Sequence, residues 1–146
     1  MDTALQQRLT PTSREAKQDF RENPDPAKSQ ALVRRAMAIV ATRAKRNALF
    51  ASEDIFADPA WDILLHIYIA SHGKRETSIK CASIAAKVPT STAQRVIGRL
   101  VKLKLLKRSI DPNDTRRSFL TLEPETKLRL DAVLAQPCQG SPVSRF

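Results

Sequence analysis

Glycine is scarce in this chain: three residues in 146, Gly73, Gly98 and Gly140. A loop that wraps its backbone around a phosphate needs several glycines close together, and no stretch supplies them. Cysteine is equally scarce, with only Cys81 and Cys138. Two are too few for a disulfide framework, and no C-x2-C spacing offers a metal site. The composition fits a reducing compartment. The two histidines, His66 and His72, have no third ligand or carboxylate in pattern, so both are expected to be structural. No serine or cysteine nucleophile has an evident histidine base. The expectation is therefore a non-enzyme without metal or cofactor.

Long apolar runs are missing as well. The most apolar segment, Trp61 to Ala70, is about half as long as a membrane span and contains Asp62 and His66. Residues Met1 to Gln6 lack the basic start and apolar run of a signal peptide. A cytoplasmic protein without membrane contact is expected.

Positive charge is abundant: 25 Lys and Arg against 15 Asp and Glu, a net +10. Its placement matters more than its sum. Lys74 to Arg117 holds twelve basic residues and three acidic ones (Glu76, Asp111, Asp114). Lys28 to Phe50 holds six basic residues and no acid, whereas residues 51–73 hold four acids and no base. A randomly charged solvated surface does not need that partition, and a concentrated basic block is the electrostatic footprint of a nucleic-acid binder.

Residues 1–28 are polar, nearly neutral and end in Asn23-Pro24-Asp25-Pro26, which predicts a flexible arm with at most a transient helix over Ser13 to Arg21. Ser29 to about Phe50 has no Gly or Pro and predicts a long helix capped by Ser29. Leu32, Ala36, Ile39, Val40 and Arg43 form its stripe, widened by Val33 and Met37. That stripe must pack either on its own domain or on a second subunit. Asp58-Pro59 opens a further helix, with Asp58 as N-cap and Pro59 in the first turn. Trp61, Leu64, Leu65, Tyr68 and Ile69 share a face, with Ile63 and Ile67 beside it, so this is the expected core helix, stopped by Gly73.

The stretch Thr77 to Leu122 organises the rest. Thr77 to Lys87 predicts a short helix with Ile79, Ala82, Ile84 and Ala85 inward and Cys81 as a buried, inert thiol. Pro89-Thr90 begins a second helix, to about Leu103, with Thr90 as N-cap and an inward stripe of Ala93, Val96, Ile97, Leu100 and Leu103. Its outward residues are Ser91, Thr92, Gln94, Arg95, Gly98, Arg99 and Lys102; Ser91, Arg95, Gly98 and Lys102 form one continuous line. A recognition helix requires this: hydroxyl side chains short enough to enter a groove, Gln and Arg with bidentate reach to base edges, and a glycine that lets backbone approach DNA. An ordinary amphipathic surface helix is the plain alternative.

Leu105 to Ile110 and Arg117 to Leu122 predict two short strands, and Asp111 to Arg116 carries the turn chemistry of a hairpin tip. Arg116 and Arg117 at the exit suit a minor groove, or else a salt-bridged turn in which Asp114 holds Arg116. Lys102, Lys104, Lys107 and Arg108 are candidate phosphate contacts, and Gln94, Arg95 and Arg99 candidate base readers. The fold expected is mainly α with a small β-hairpin: a winged helix-turn-helix with a long N-terminal helix over residues 29–135, followed by a disordered tail at 136–146.

The pair of helices from Ser78 to Lys102, then Leu105-Leu106-Lys107-Arg108, Asp111-Pro112-Asn113-Asp114-Thr115-Arg116-Arg117 and Leu122, resembles the MarR-type winged-helix transcriptional regulators. That family's wing pattern, Asp-Pro-x-Asp-x-Arg, is matched by Asp111, Pro112, Asp114 and Arg116. Asp58 to Leu65 also looks like a segment of alphaproteobacterial winged-helix proteins. The resemblance covers roughly residues 50–130. It implies a homodimer on double-stranded DNA at a near-palindromic site, with recognition helices (about 90–103) in major grooves and wings (107–120) in minor grooves. The sequence departs from the family at Lys104, where Gly usually ends the recognition helix, and at Glu123 and Thr126, where Thr and Gly are common. The C-terminal helix, Pro124 to about Leu134, is short, which leaves little chain to enclose a small-molecule effector and shifts the expected dimer contacts to residues 29–50.

A sequence-specific transcriptional regulator is thus the leading expectation. An architectural protein, or a plasmid or phage replication or partition protein that binds DNA without an effector, is the alternative. A winged helix given over to protein contacts would suit an acidic second helix, and this one is basic.

Overall fold

The computed structural model describes residues 25–50 and 58–136. Its elements run α1 (Pro26–Leu49), α2 (Pro59–His72), β1 (Thr77–Ser78), α3 (Ile79–Ala86), α4 (Thr90–Lys102), β2 (Leu106–Ile110), β3 (Ser118–Leu122) and α5 (Pro124–Ala135). The three strands form one antiparallel sheet in the order β1-β3-β2. Helix, strand, two helices and a two-stranded wing in this order make a winged helix-turn-helix, mainly α, preceded by a long helix.

α1 starts ahead of the expected Ser29. Asp25 caps it, accepting from the Ala27 N–H at 3.0 Å, and Pro26 fills the first turn, where a missing N–H costs nothing. Ser29 lies inside the helix, its N–H donated to the Asp25 carbonyl at 2.9 Å. The expectations for residues 1–24, including the Ser13 to Arg21 helix, and for 137–146 lie outside the described residues.

α2 begins as anticipated, with the Asp58 side chain accepting from the Trp61 N–H at 3.2 Å. It is apolar over most of its girth because it serves two cores. Ile63 and Ile67 join Ala82, Ala86, Ala93, Ile97, Leu100, Leu106 and Leu120 under the helix-turn-helix. Leu65 and Tyr68 join Ala36, Leu130 and Leu134 between α1 and α5. One face of α1 (Leu32, Val33, Ala36, Ile39) is therefore spent within its own domain, while Met37, Val40 and Leu49 stay exposed.

Three helices end on a left-handed lysine: Lys74 (φ 52), Lys87 (φ 53) and Lys104 (φ 56). The expected stop for α2, Gly73, has an ordinary φ of −84, and the next residue makes the turn. A non-glycine residue in that region is strained by about 1–2 kcal/mol. A cation beside the carbonyl end of a helix returns about 0.3–1 kcal/mol.

Other local expectations are corrected. In α3 Ala82, Ser83 and Ala86 are buried and Ile79 packs against the same core, whereas Ile84 is 67% exposed. The spacing i, i+1, i+4 from Ala82 fits the surface that α2 and α4 cover, and Ser83 is accommodated because its hydroxyl donates to the Lys80 carbonyl at 2.8 Å. Leu103 is the C-cap of α4 and is exposed, not part of the inward stripe. β1 was not anticipated: two residues carry no periodicity, and Thr77 and Ser78 become strand only because Leu120 and Phe119 run beside them.

Candidate nucleic-acid interface

α4 separates its polar and apolar sides more sharply than any other described helix. Ala93, Ile97 and Leu100 anchor it in the core. Ser91, Gln94, Arg95, Gly98, Arg99 and Lys102 are exposed, as is Thr90, while Thr92 is half-buried. Thr90 does not cap the helix as expected. Pro89 holds the N-cap position, and among the described residues no side-chain hydrogen bond caps the helix. The early N–H groups, which have no acceptor within a helix, are thus left to solvent or to an anion.

The wing follows directly. β2 and β3 pair from Leu106↔Leu122 to Ile110↔Ser118. At the tip, the buried Asp111 carboxylate accepts from the Asn113 N–H at 2.8 Å, and the Asp111 N–H donates to the Arg117 carbonyl at 3.0 Å. Asp114 does not hold the Arg116 guanidinium; it accepts from the Arg116 backbone N–H at 3.0 Å. The Arg116 side chain is exposed and forms no ion pair among the described residues. Arg117 is the tethered one, 4.0 Å from Asp111 Oδ2 and 5.7 Å from the centre of the Phe119 ring. One Asp-organised turn therefore leaves one arginine free and orients the other.

The structure does not bring Lys107 and Arg108 together. Neighbours on a strand point to opposite faces. Arg108 lies opposite Leu120, a core residue, whereas Lys107 lies opposite Thr121 on the outer face. Both are exposed.

Cys81 is exposed, not buried. It precedes the inward Ala82, so helical geometry turns it out. Its thiol is held below the usual cysteine range, first by the Ser78 hydroxyl and then by the Arg117 and Lys80 charges. The pairing of Ser78 with Phe119 places the wing exit beside the first turn of α3. Lys80 and Lys87, exposed at the two ends of α3, therefore join the basic surface. Sequence reasoning passed over both as site residues, since an isolated lysine has no pattern.

The His72 ring bonds the Tyr68 carbonyl through Nδ1 at 2.9 Å and lies 4.6 Å from the Tyr68 ring centre. His66 is held below the usual imidazole range by burial and then by the Arg75 charge. Among the described residues no group of three or more His, Cys, Asp or Glu could hold a metal ion, and no helix is long and apolar enough to cross a membrane.

No family model matches the sequence, and no curated relative matches it. Solved structures do. The PcaV transcriptional regulator from Streptomyces coelicolor is 27% identical over 53% of this chain and 51% of its own, with a TM-score of 0.44. The match thus spans about half the length of that protein. MepR of S. aureus, solved in its DNA-binding conformation, is 20% identical over 66% of this chain and 68% of its own, with a TM-score of 0.45. A MarR family transcriptional regulator from Silicibacter pomeroyi is 24% identical over 64% of this chain and 59% of its own, also at 0.45. The solved structures to which this chain is similar thus include two described as transcriptional regulators, one of them of the MarR family.

Proposed function

We propose that this chain is a sequence-specific, DNA-binding transcriptional regulator of the MarR type. α4 enters the major groove and the wing reaches an adjacent minor groove. The observation that carries the reading is the surface of α4: an uncapped N-terminus, then exposed Ser91, Gln94, Arg95, Arg99 and Lys102, without an ion pair among the described residues. A solvated face that served only solubility would mix charges, and α4 carries no acid. Gln94, Arg95 and Arg99 read base edges, while Thr90, Ser91, Thr92, Lys102, Lys104, Lys107 and Arg108 position the helix on phosphates. Arg116 occupies the minor groove, with Arg117 braced behind it.

The protein acts as a homodimer in this reading, so its site is an inverted repeat. The faces of α1 left exposed at Met37, Val40 and Leu49 are the surface available for pairing. It works in the bacterial cytoplasm and performs no catalysis.

Selection from a random double-stranded DNA pool at near-physiological salt tests the proposal. The expected result is an enriched inverted repeat with half-sites about one helical turn apart. Salt-sensitive binding without an enriched motif would instead support the architectural or replication-partition alternative. No binding would refute both.

A further inference from the structure

Gly98 has no purpose inside the fold. It sits in the interior of α4, its φ is not left-handed, and a Cβ built there meets nothing within 4 Å. Glycine in a helix interior lowers stability relative to alanine, because its backbone loses more freedom on folding. Neither backbone geometry nor a close neighbour among the described residues calls for it. The turns on either side of α4 show the reverse. Lys87 and Lys104 hold positive φ values of 53 and 56, where glycine would be unstrained and a lysine is not. The chain therefore omits a side chain where its fold has room for one, and keeps side chains where its fold favours none. All three positions are exposed, and all flank or lie on one helix.

Resting on the DNA-binding reading above, we infer that Gly98 is the point of closest approach between α4 and DNA. The bare helix backbone there packs against the floor of the major groove. Arg95 and Lys102, one turn to either side on the same exposed line, flank the contact. Lys87 and Lys104, in the turns before and after the helix, face the bordering phosphates. A side chain at 98 would hold the helix off the base edges and lengthen every specific contact at once.

The test is Gly98→Ala and Gly98→Gln, each measured by thermal unfolding and by binding to the selected site and to an unrelated duplex. Gly98→Ala should raise Tm by about 4–8 °C. It should also weaken binding to the selected site by at least about tenfold, with a smaller loss on the unrelated duplex, and Gly98→Gln should lose more. A higher Tm with unchanged affinity would overturn the inference while leaving the DNA-binding reading intact. A lower Tm would overturn it too, since the fold itself would then need the glycine. If the unsubstituted protein binds no duplex, the underlying reading fails, and the inference with it.

Discussion

Arg43 Nε donates to Asp62 Oδ1 at 2.7 Å, and the two side chains are only 16% and 19% exposed. This bond clamps α1 to the first turn of α2. Asp58, the N-cap of α2, lies 4.0 Å from Arg43 Nη2, too far for a hydrogen bond, and that nitrogen is buried without a hydrogen-bond partner among the described residues. Arg43→Ala and Asp62→Ala should each cost about 1–3 kcal/mol, because each strands a mostly buried charge. The double substitution should cost less than the sum, with a coupling of at least about 0.5 kcal/mol. Urea unfolding of the four proteins measures it; strictly additive losses would show that the clamp is idle.

Tyr68 ties α2 to α5. It is fully buried, and its hydroxyl donates to Asp131 Oδ1 at 2.5 Å. Burial, and then the Asp131 bond and charge, raise its phenol well above the ordinary range. The neutral form is therefore favoured by the fold. Its stabilisation is whole below a pH of about 10 and is lost as pH rises beyond that. Tyr68→Phe should cost about 1–2 kcal/mol near neutrality and flatten the alkaline decline. An unchanged alkaline slope in denaturation curves would refute the assignment.

The left-handed lysines are separable into strain and function. Lys74→Gly, Lys87→Gly and Lys104→Gly should each raise stability by about 0.5–1 kcal/mol, and alanine at these positions should not. If Lys87 also meets phosphate, its glycine variant should lower the salt slope of DNA binding by about one. A stability gain with an unaltered slope would leave Lys87 with a structural part only.

Arg95 and Lys107 should fail differently. Arg95→Ala should cost about 1–3 kcal/mol on the selected site and relax preference at one base position. Lys107→Ala should weaken selected and unrelated duplexes alike. Equal losses on all sequences for both variants would remove Arg95 from base reading.

Cys81 should react faster with an alkylating reagent near pH 7.5 than an unperturbed thiol does, measured in a Cys138→Ser background. Ser78→Ala should slow it, since the Ser78 hydroxyl is the leading cause of the lowered thiol pKa. The same substitution removes the α3 cap, a bond of 3.2 Å to the Cys81 N–H, and should cost about 1 kcal/mol. Alkylation at an unchanged rate in Ser78→Ala would exclude that bond as the cause.

What the sequence determined by itself is local and periodic. Asp58-Pro59 announces the start of α2, the alternation of apolar and basic residues outlines α4 to within a residue, and the Asp-rich tip separates β2 from β3 at nearly their observed ends. Caps, turns and charge blocks depend on residues a few positions apart, so they are legible along a line. The tertiary structure decided what depends on distant neighbours. It chose which side of α3 was covered, exposing Ile84 and Cys81 and burying Ser83. It made a strand of Thr77 and Ser78 by laying β3 beside them, and divided α2 between two cores. It also set Lys107 and Arg108 on opposite faces and freed Arg116 while bracing Arg117. Periodicity identifies which residues share a face, but burial is conferred by whatever packs against that face, and here those partners come from elsewhere in the chain.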